Sequence, residues 1–118
     1  MKSDAIDPET GRTIDDVSPT TIFAAFASER RQHALGYLTT RPGAVPLGDV
    51  AEYVAIEEDA VTRDRYERVL TGLVHNHLPH LTEAGLVRYD PVRETVRLAV
   101  DADALRPYLD LVSRPAVE

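Results

Sequence analysis

Cysteine is absent from this chain. That excludes disulfides and thiolate catalysis, and it leaves histidine and carboxylates as the strong metal ligands. Lysine is nearly absent: Lys2 stands alone, so arginine supplies the other 12 of the 13 basic residues. No apolar run approaches the ~20 residues that a membrane span needs. The first stretch, Met1 to Asp16, is polar and acidic and does not read as a signal peptide. A cytoplasmic protein without a membrane partner is the simple expectation. Also missing are a Gly-rich phosphate loop, a GxSxG elbow, an HExxH pair and a Cys/His pair. The many carboxylates lie in solvated runs, so we expect no enzyme, no catalytic residues and no cofactor. There is no internal repeat and no low-complexity segment.

What is present begins with charge. Twenty acidic residues face 13 basic ones, for a net charge of -7 over 118 residues. An acid-rich, lysine-poor surface suits a halophilic protein working in concentrated salt, although a GC-rich genome also favours arginine codons. Nucleic-acid binders are usually basic. In high salt that argument weakens, because counterion release loses its force and the Debye length at 1 M is only ~3 Å. A DNA binder there relies on close contacts and local arginine clusters, so the distribution of arginine decides more than the sum.

Residues 1–17 read as a disordered acidic tail with Pro8 and Gly11. Ser18-Pro19 is a helix start, a cap followed by a first-turn proline. Ile22, Phe23 and Phe26 make a short apolar face. Ser28 caps a second helix that runs to about Thr40 and buries Ala34, Leu35 and Leu38. Residues 41–46 turn into a brief extended segment. Leu47, Val50, Ala51 and Val54 recur at helical spacing, and this helix ends near Ile56. Glu57-Glu58-Asp59 reads as a solvated acidic turn. A long helix starts near Asp59 or Thr62 and carries Tyr66, Leu70, Leu73, Val74, His77, Leu78 and Leu81 on its inner face. Pro79 must kink or restart it, because proline cannot donate to the carbonyl of His75. Gly85 is suited to positive φ at the helix end. Leu86 to Tyr89 and Thr95 to Val100 alternate as the two strands of a hairpin. Asp101 or Asp103 then caps a last helix striped by Leu105, Tyr108, Leu109 and Val112.

His77-Leu78, Leu81 and Ala84-Gly85-Leu86-Val87 resemble the HLxxLxxAGLV signature of ArsR-type winged-helix regulators. The fuller run, His75-Asn76-His77-Leu78-Pro79 with Leu81 and Glu83 to Val87, resembles an uncharacterised haloarchaeal family of small winged-helix proteins. The likeness covers roughly residues 20–100. It implies an α+β fold, mainly α: a winged helix-turn-helix with extra N- and C-terminal helices. The winged-helix domain would span 18–100, followed by a dimerisation helix and tail over 101–118. ArsR-type metal sensors usually carry a cysteine-based motif, which this chain lacks.

The outward face of the long helix offers Arg65, Arg68, Thr71, Gly72, His75 and Asn76. Arginine can take guanine O6 and N7 or a phosphate, asparagine can take adenine N6 and N7, and threonine can reach base edges or backbone. Gly72 would let a duplex approach closely. By the resemblance, Thr71, His75 and Asn76 fall on the groove-facing side. The alternative is an ordinary solvated face, with Arg65 and Arg68 paired to Asp64 and Glu67 for tenths of a kcal/mol. In the wing, Arg88 and Arg97 project from the strands, and Arg93 sits at the tip between Asp90 and Glu94, where it can hold a phosphate or simply occupy a hairpin turn. Ile22, Phe23, Phe26, Leu105, Tyr108, Leu109 and Val112 form the expected dimer interface. His75 and His77 lie about 200° apart on a helix. His77 and His80 could meet, but no acid completes a site and no metal is expected.

The sequence therefore points to a DNA-binding transcriptional regulator acting as a homodimer on double-stranded DNA. Two copies of the long helix would enter successive major grooves about one turn apart. The competing class is a protein-interaction or adaptor module. A positive helix face and wing favour the first, and an acidic surface there favours the second.

Overall fold

The computed structural model describes residues 16–113. Two serine caps start the chain. Ser18 Oγ accepts from the Thr21 amide at 3.1 Å and starts α1, Pro19–Ala25. Ser28 Oγ accepts from the Arg31 amide at 3.3 Å and starts α2, Glu29–Thr39. Strand β1 is only Val45–Pro46, and it runs directly into α3, Leu47–Glu57. Asp59 ends that helix at φ 58°, a left-handed position more often given to glycine, while the Ala60 amide reaches back to the Ala55 carbonyl at 3.2 Å.

Thr62 caps α4, Arg63–Gly72, by accepting from the Arg65 amide at 3.1 Å. The rod then passes through a π-helical turn, Leu73–His77, into α5, Leu78–Glu83. The break expected at Pro79 thus falls on the turn before it. The Leu78 amide bonds the Leu73 carbonyl, an i to i−5 link. The proline ring crowds the carbonyl four residues back and offers no N–H, and widening the preceding turn accommodates both. Gly85 closes α5 at φ 83°, with the Leu86 amide on the Leu81 carbonyl at 3.0 Å.

Strands β2, Val87–Asp90, and β3, Thr95–Leu98, form the wing. Strand β1 pairs with β3 from the other side, so the antiparallel sheet has the order β1-β3-β2. Beyond Leu98 the expected strand stops, and the Ala99 amide instead bonds the Leu86 carbonyl at 2.8 Å. Helix α6, Ala102–Ser113, completes the chain. The order α2-β1-α3-α4-β2-β3 is the arrangement expected of a winged helix-turn-helix, with α1 and α6 added at its ends. Among the described residues no helix is long and apolar enough to cross a membrane.

One apolar cluster holds these elements. Leu35, Val54, Val69, Leu73, Leu81 and Val96 are wholly buried in it. Truncating a buried leucine such as Leu35 to alanine costs about 2–5 kcal/mol. Two expectations are corrected by that cluster. Val17, assigned to the tail, is buried in it; the rest of the tail except Asp16, and residues 114–118, lie outside the described residues. Ile22, Phe26 and Leu105, assigned to a dimer interface, are 1%, 3% and 0% exposed within a single chain. The terminal helices do find a partner, but it is the chain's own core. Tyr108 of α6 meets Phe23 and Phe26 of α1 edge-on, at centroid distances of 6.2 and 6.1 Å. Phe23 and Leu111 stay exposed, and Tyr108, Leu109 and Val112 are half-buried. Arg106 of α6 donates to the Thr39 carbonyl at 3.0 Å and pairs with Asp103 at 2.9 Å, which fastens α6 to the end of α2.

Candidate nucleic-acid interface

The helix face comes first. Val69 and Leu73 turn α4 inward, so Arg63, Arg68 and Thr71 face solvent. Arg63 pairs with Glu67 at 3.3 Å and Arg68 with Asp64 at 3.2 Å, both one turn apart and well exposed. Such pairs contribute only ~0.3–0.5 kcal/mol, so a phosphate can displace them. Arg65 behaves differently. It leans back on Glu58 at 2.9 Å and is only partly exposed. It was expected beside Arg68 on the open face.

Glu58 is the residue that sequence reasoning missed. It was read as part of a solvated turn, yet its side chain is only 18% exposed and joins three helices. Arg30 of α2 donates to both of its oxygens, at 2.6 and 3.2 Å, while Arg65 of α4 takes one of them. The Arg30 hydrogen bonds hold the Glu58 carboxyl below the usual carboxylate range, against the opposing effect of burial and with help from Arg65.

His77, the last residue of the π turn, is a buried polar side chain. Arg31 Nη1 sits 3.3 Å from its Nδ1. A guanidinium can only donate, so Nδ1 accepts and the imidazole proton belongs on Nε2. Arg31 is itself fixed by the Ala25 and Ala24 carbonyls, at 2.9 and 3.0 Å. Burial lowers the pKa of His77, and the nearby charges of Arg31 and Arg30 lower it further. His77 is therefore neutral at pH 7, packed and not available as a ligand. Gly72 also faces inward: a Cβ there would stand 3.4 Å from Arg30 Nη1. The position thus faces α2 and His77, not a duplex. His75 and Asn76, on the outer side of the π turn, are exposed. Among the described residues, no three histidine or acidic side chains converge on a metal position.

The wing presents its charge otherwise. Register places Arg88 directly opposite Arg97, both exposed, while Tyr89 and Val96 pair on the other face of the sheet. Neither arginine has a carboxylate within 4.0 Å among the described residues. Like charges directly opposite on a sheet destabilise it, by up to ~1 kcal/mol. At the tip, Asp90 Oδ1 accepts from the Val92 and Arg93 amides at 3.0 and 3.1 Å, and Glu94 takes φ 56°. Arg93 is 82% exposed, with Asp90 3.9 Å away. The Glu94 carbonyl accepts from the Leu47 amide at 2.9 Å and anchors the tip to the start of α3.

The chain belongs to the family described as Domain of unknown function (DUF7344), which it matches over residues 23–97. The match takes in the helix face and the wing together. No curated protein and no solved structure matches the chain.

Proposed function

We propose that this member of the DUF7344 family is a DNA-binding transcriptional regulator that grips duplex DNA through α4, the π turn and the wing. The observation that carries this reading is the Arg88–Arg97 pair. In a chain of net charge -7, two arginines are register partners across a hairpin, and among the described residues no carboxylate lies within 4.0 Å of either. Such a pair is a cost to the sheet alone and a fit for an anionic backbone. Arg88, Arg97 and Arg93 hold phosphates. Thr71, His75 and Asn76 enter the groove, and Asn76 is suited to adenine. Arg68 and Arg63 exchange their exposed carboxylate partners for phosphates. The likeness to ArsR-type regulators supports the same use without a cysteine metal sensor.

A homodimer completes the proposal. With Ile22, Phe26 and Leu105 buried, the exposed Phe23 and Leu111 and the half-buried Tyr108 and Val112 are the residues a second copy would meet. The competing reading, an adaptor that binds protein, is favoured by one observation: Arg63, Arg65 and Arg68 each already meet a carboxylate.

Titration of labelled genomic duplexes over a range of KCl concentrations separates the two. Arg68→Ala is expected to weaken binding across all sequences. Asn76→Ala should relax preference at one base pair, worth about 1–3 kcal/mol of discrimination. Wild-type protein that shifts no duplex at any salt concentration would leave the adaptor reading standing.

A further inference from the structure

We infer that Arg41, on the loop between α2 and β1, extends the wing pair into a three-guanidinium strip that clasps the phosphodiester backbone of duplex DNA. This rests on the DNA-binding reading and adds a contact that neither the recognition helix nor the wing supplies.

The first ground is a sorting of the arginines. Arg30, Arg63, Arg65, Arg68, Arg93 and Arg106 each have a carboxylate within 4.0 Å. Arg31 is held by two carbonyls and His77. Among the described residues, that leaves Arg41, Arg88 and Arg97. In a chain with 20 acidic residues, these three guanidiniums have no carboxylate within 4.0 Å among the described residues.

The second ground is position. Arg88 and Arg97 are register partners. Arg97 and Arg41 line one open groove of about 380 Å³, at the corner where α2, the 41–44 loop, β3 and the start of α6 meet. Arg97 is thus the register partner of Arg88 and shares a groove lining with Arg41, although β2, β3 and the loop are far apart in sequence. Asp101 also lines the groove, so a phosphate would bind at its arginine rim and not over its α6 side.

The third ground is order. The Arg41 guanidinium lies over the Tyr37 ring, 4.9 Å from its centroid, and Tyr37 packs on Tyr53 at 4.9 Å. This cation–π contact holds the guanidinium at the ring, and a guanidinium has five N–H donors to offer. Planar forks of this kind match two phosphate oxygens at once, and holding one in place beforehand lowers the ordering cost of binding.

The test uses the full chain and a fluorescein-labelled mixed-sequence duplex, with affinity followed from low to molar KCl. Arg41→Ala should weaken binding on the order of tenfold at low salt, and lower the slope of log K against log [salt] by about 0.9. Arg41→Lys should keep that slope while recovering part of the affinity, which a merely structural role for Arg41 would not produce. Circular dichroism of Arg41→Ala should match wild type, since Arg41 is an exposed loop residue whose guanidinium rests on the Tyr37 ring and lies outside the apolar core. Arg41→Ala that binds like wild type, in a protein whose Arg97→Ala variant binds poorly, overturns the strip and leaves the proposed function intact. Wild-type protein that binds no duplex overturns both.

Discussion

On α4, Arg63, Arg65 and Arg68 meet Glu67, Glu58 and Asp64; on the wing, Arg88 meets Arg97. One side chain type is used in two ways within one small domain. Along a helix, positions four apart are neighbours, so a mixed run such as Arg63 to Arg68 balances its own charges. Across a hairpin the neighbour is set by register, and here register selects a second arginine. The contrast separates charge that supports the fold from charge held in reserve for something else.

Removing Glu58 should break the supporting set hardest. Glu58→Ala strands Arg30 and Arg65 where both are partly buried, and should cost about 2–3 kcal/mol in urea unfolding, below the range for a fully buried pair because solvent reaches this one. A wing substitution with an equal cost would erase the distinction between the two regions.

Acid should act on the helix side next. A histidine whose folded pKa is depressed binds its proton more readily in the unfolded chain, so stability rises with pH through the window between the two values. For His77 the stability is complete above the ordinary imidazole value of about 6.5 and is lost as pH falls below it toward the folded value. Glu58, also depressed, adds its own loss only below the ordinary carboxylate range. Thermal melts should therefore fall in two steps on acidification. His77→Gln should remove the first step; a variant that keeps both would clear His77 of the effect.

The smallest stability effect belongs to the wing. Arg88→Thr should leave stability unchanged or raise it by a few tenths of a kcal/mol, by relieving the cross-strand repulsion, while weakening duplex binding. Loss of stability together with unchanged binding would reverse the assignment of reserve charge to the wing.

Local chemistry made much of this fold legible. The caps at Ser18, Ser28 and Thr62, the turn at Gly85 and the alternation of the hairpin each depend on residues within four positions of one another. What stayed hidden depends on distance along the chain. Glu58 sits between two other acids and reads as solvated, because its partner Arg30 is 28 residues away. The apolar stripes of α1 and α6 were assigned outward because a stripe does not say which surface covers it. Phe26 and Leu105 are covered by the chain itself. Periodicity places Gly72 on the outer face, whereas it faces a side chain from α2. The exposed candidates Thr71, His75, Asn76, Arg88 and Arg97 follow from periodicity alone, whereas Arg41 depends on a loop whose path no period describes.

The fastening of Arg106 to the Thr39 carbonyl bears on how two copies could share one operator. In the homodimer proposed above, that contact would hold the α6 arm against the body, and a second copy seated there would meet a fixed platform. The gap between the two reading heads would then be ruled by the protein, and DNA lengthened by half a helical turn between its half-sites would be refused and not accommodated.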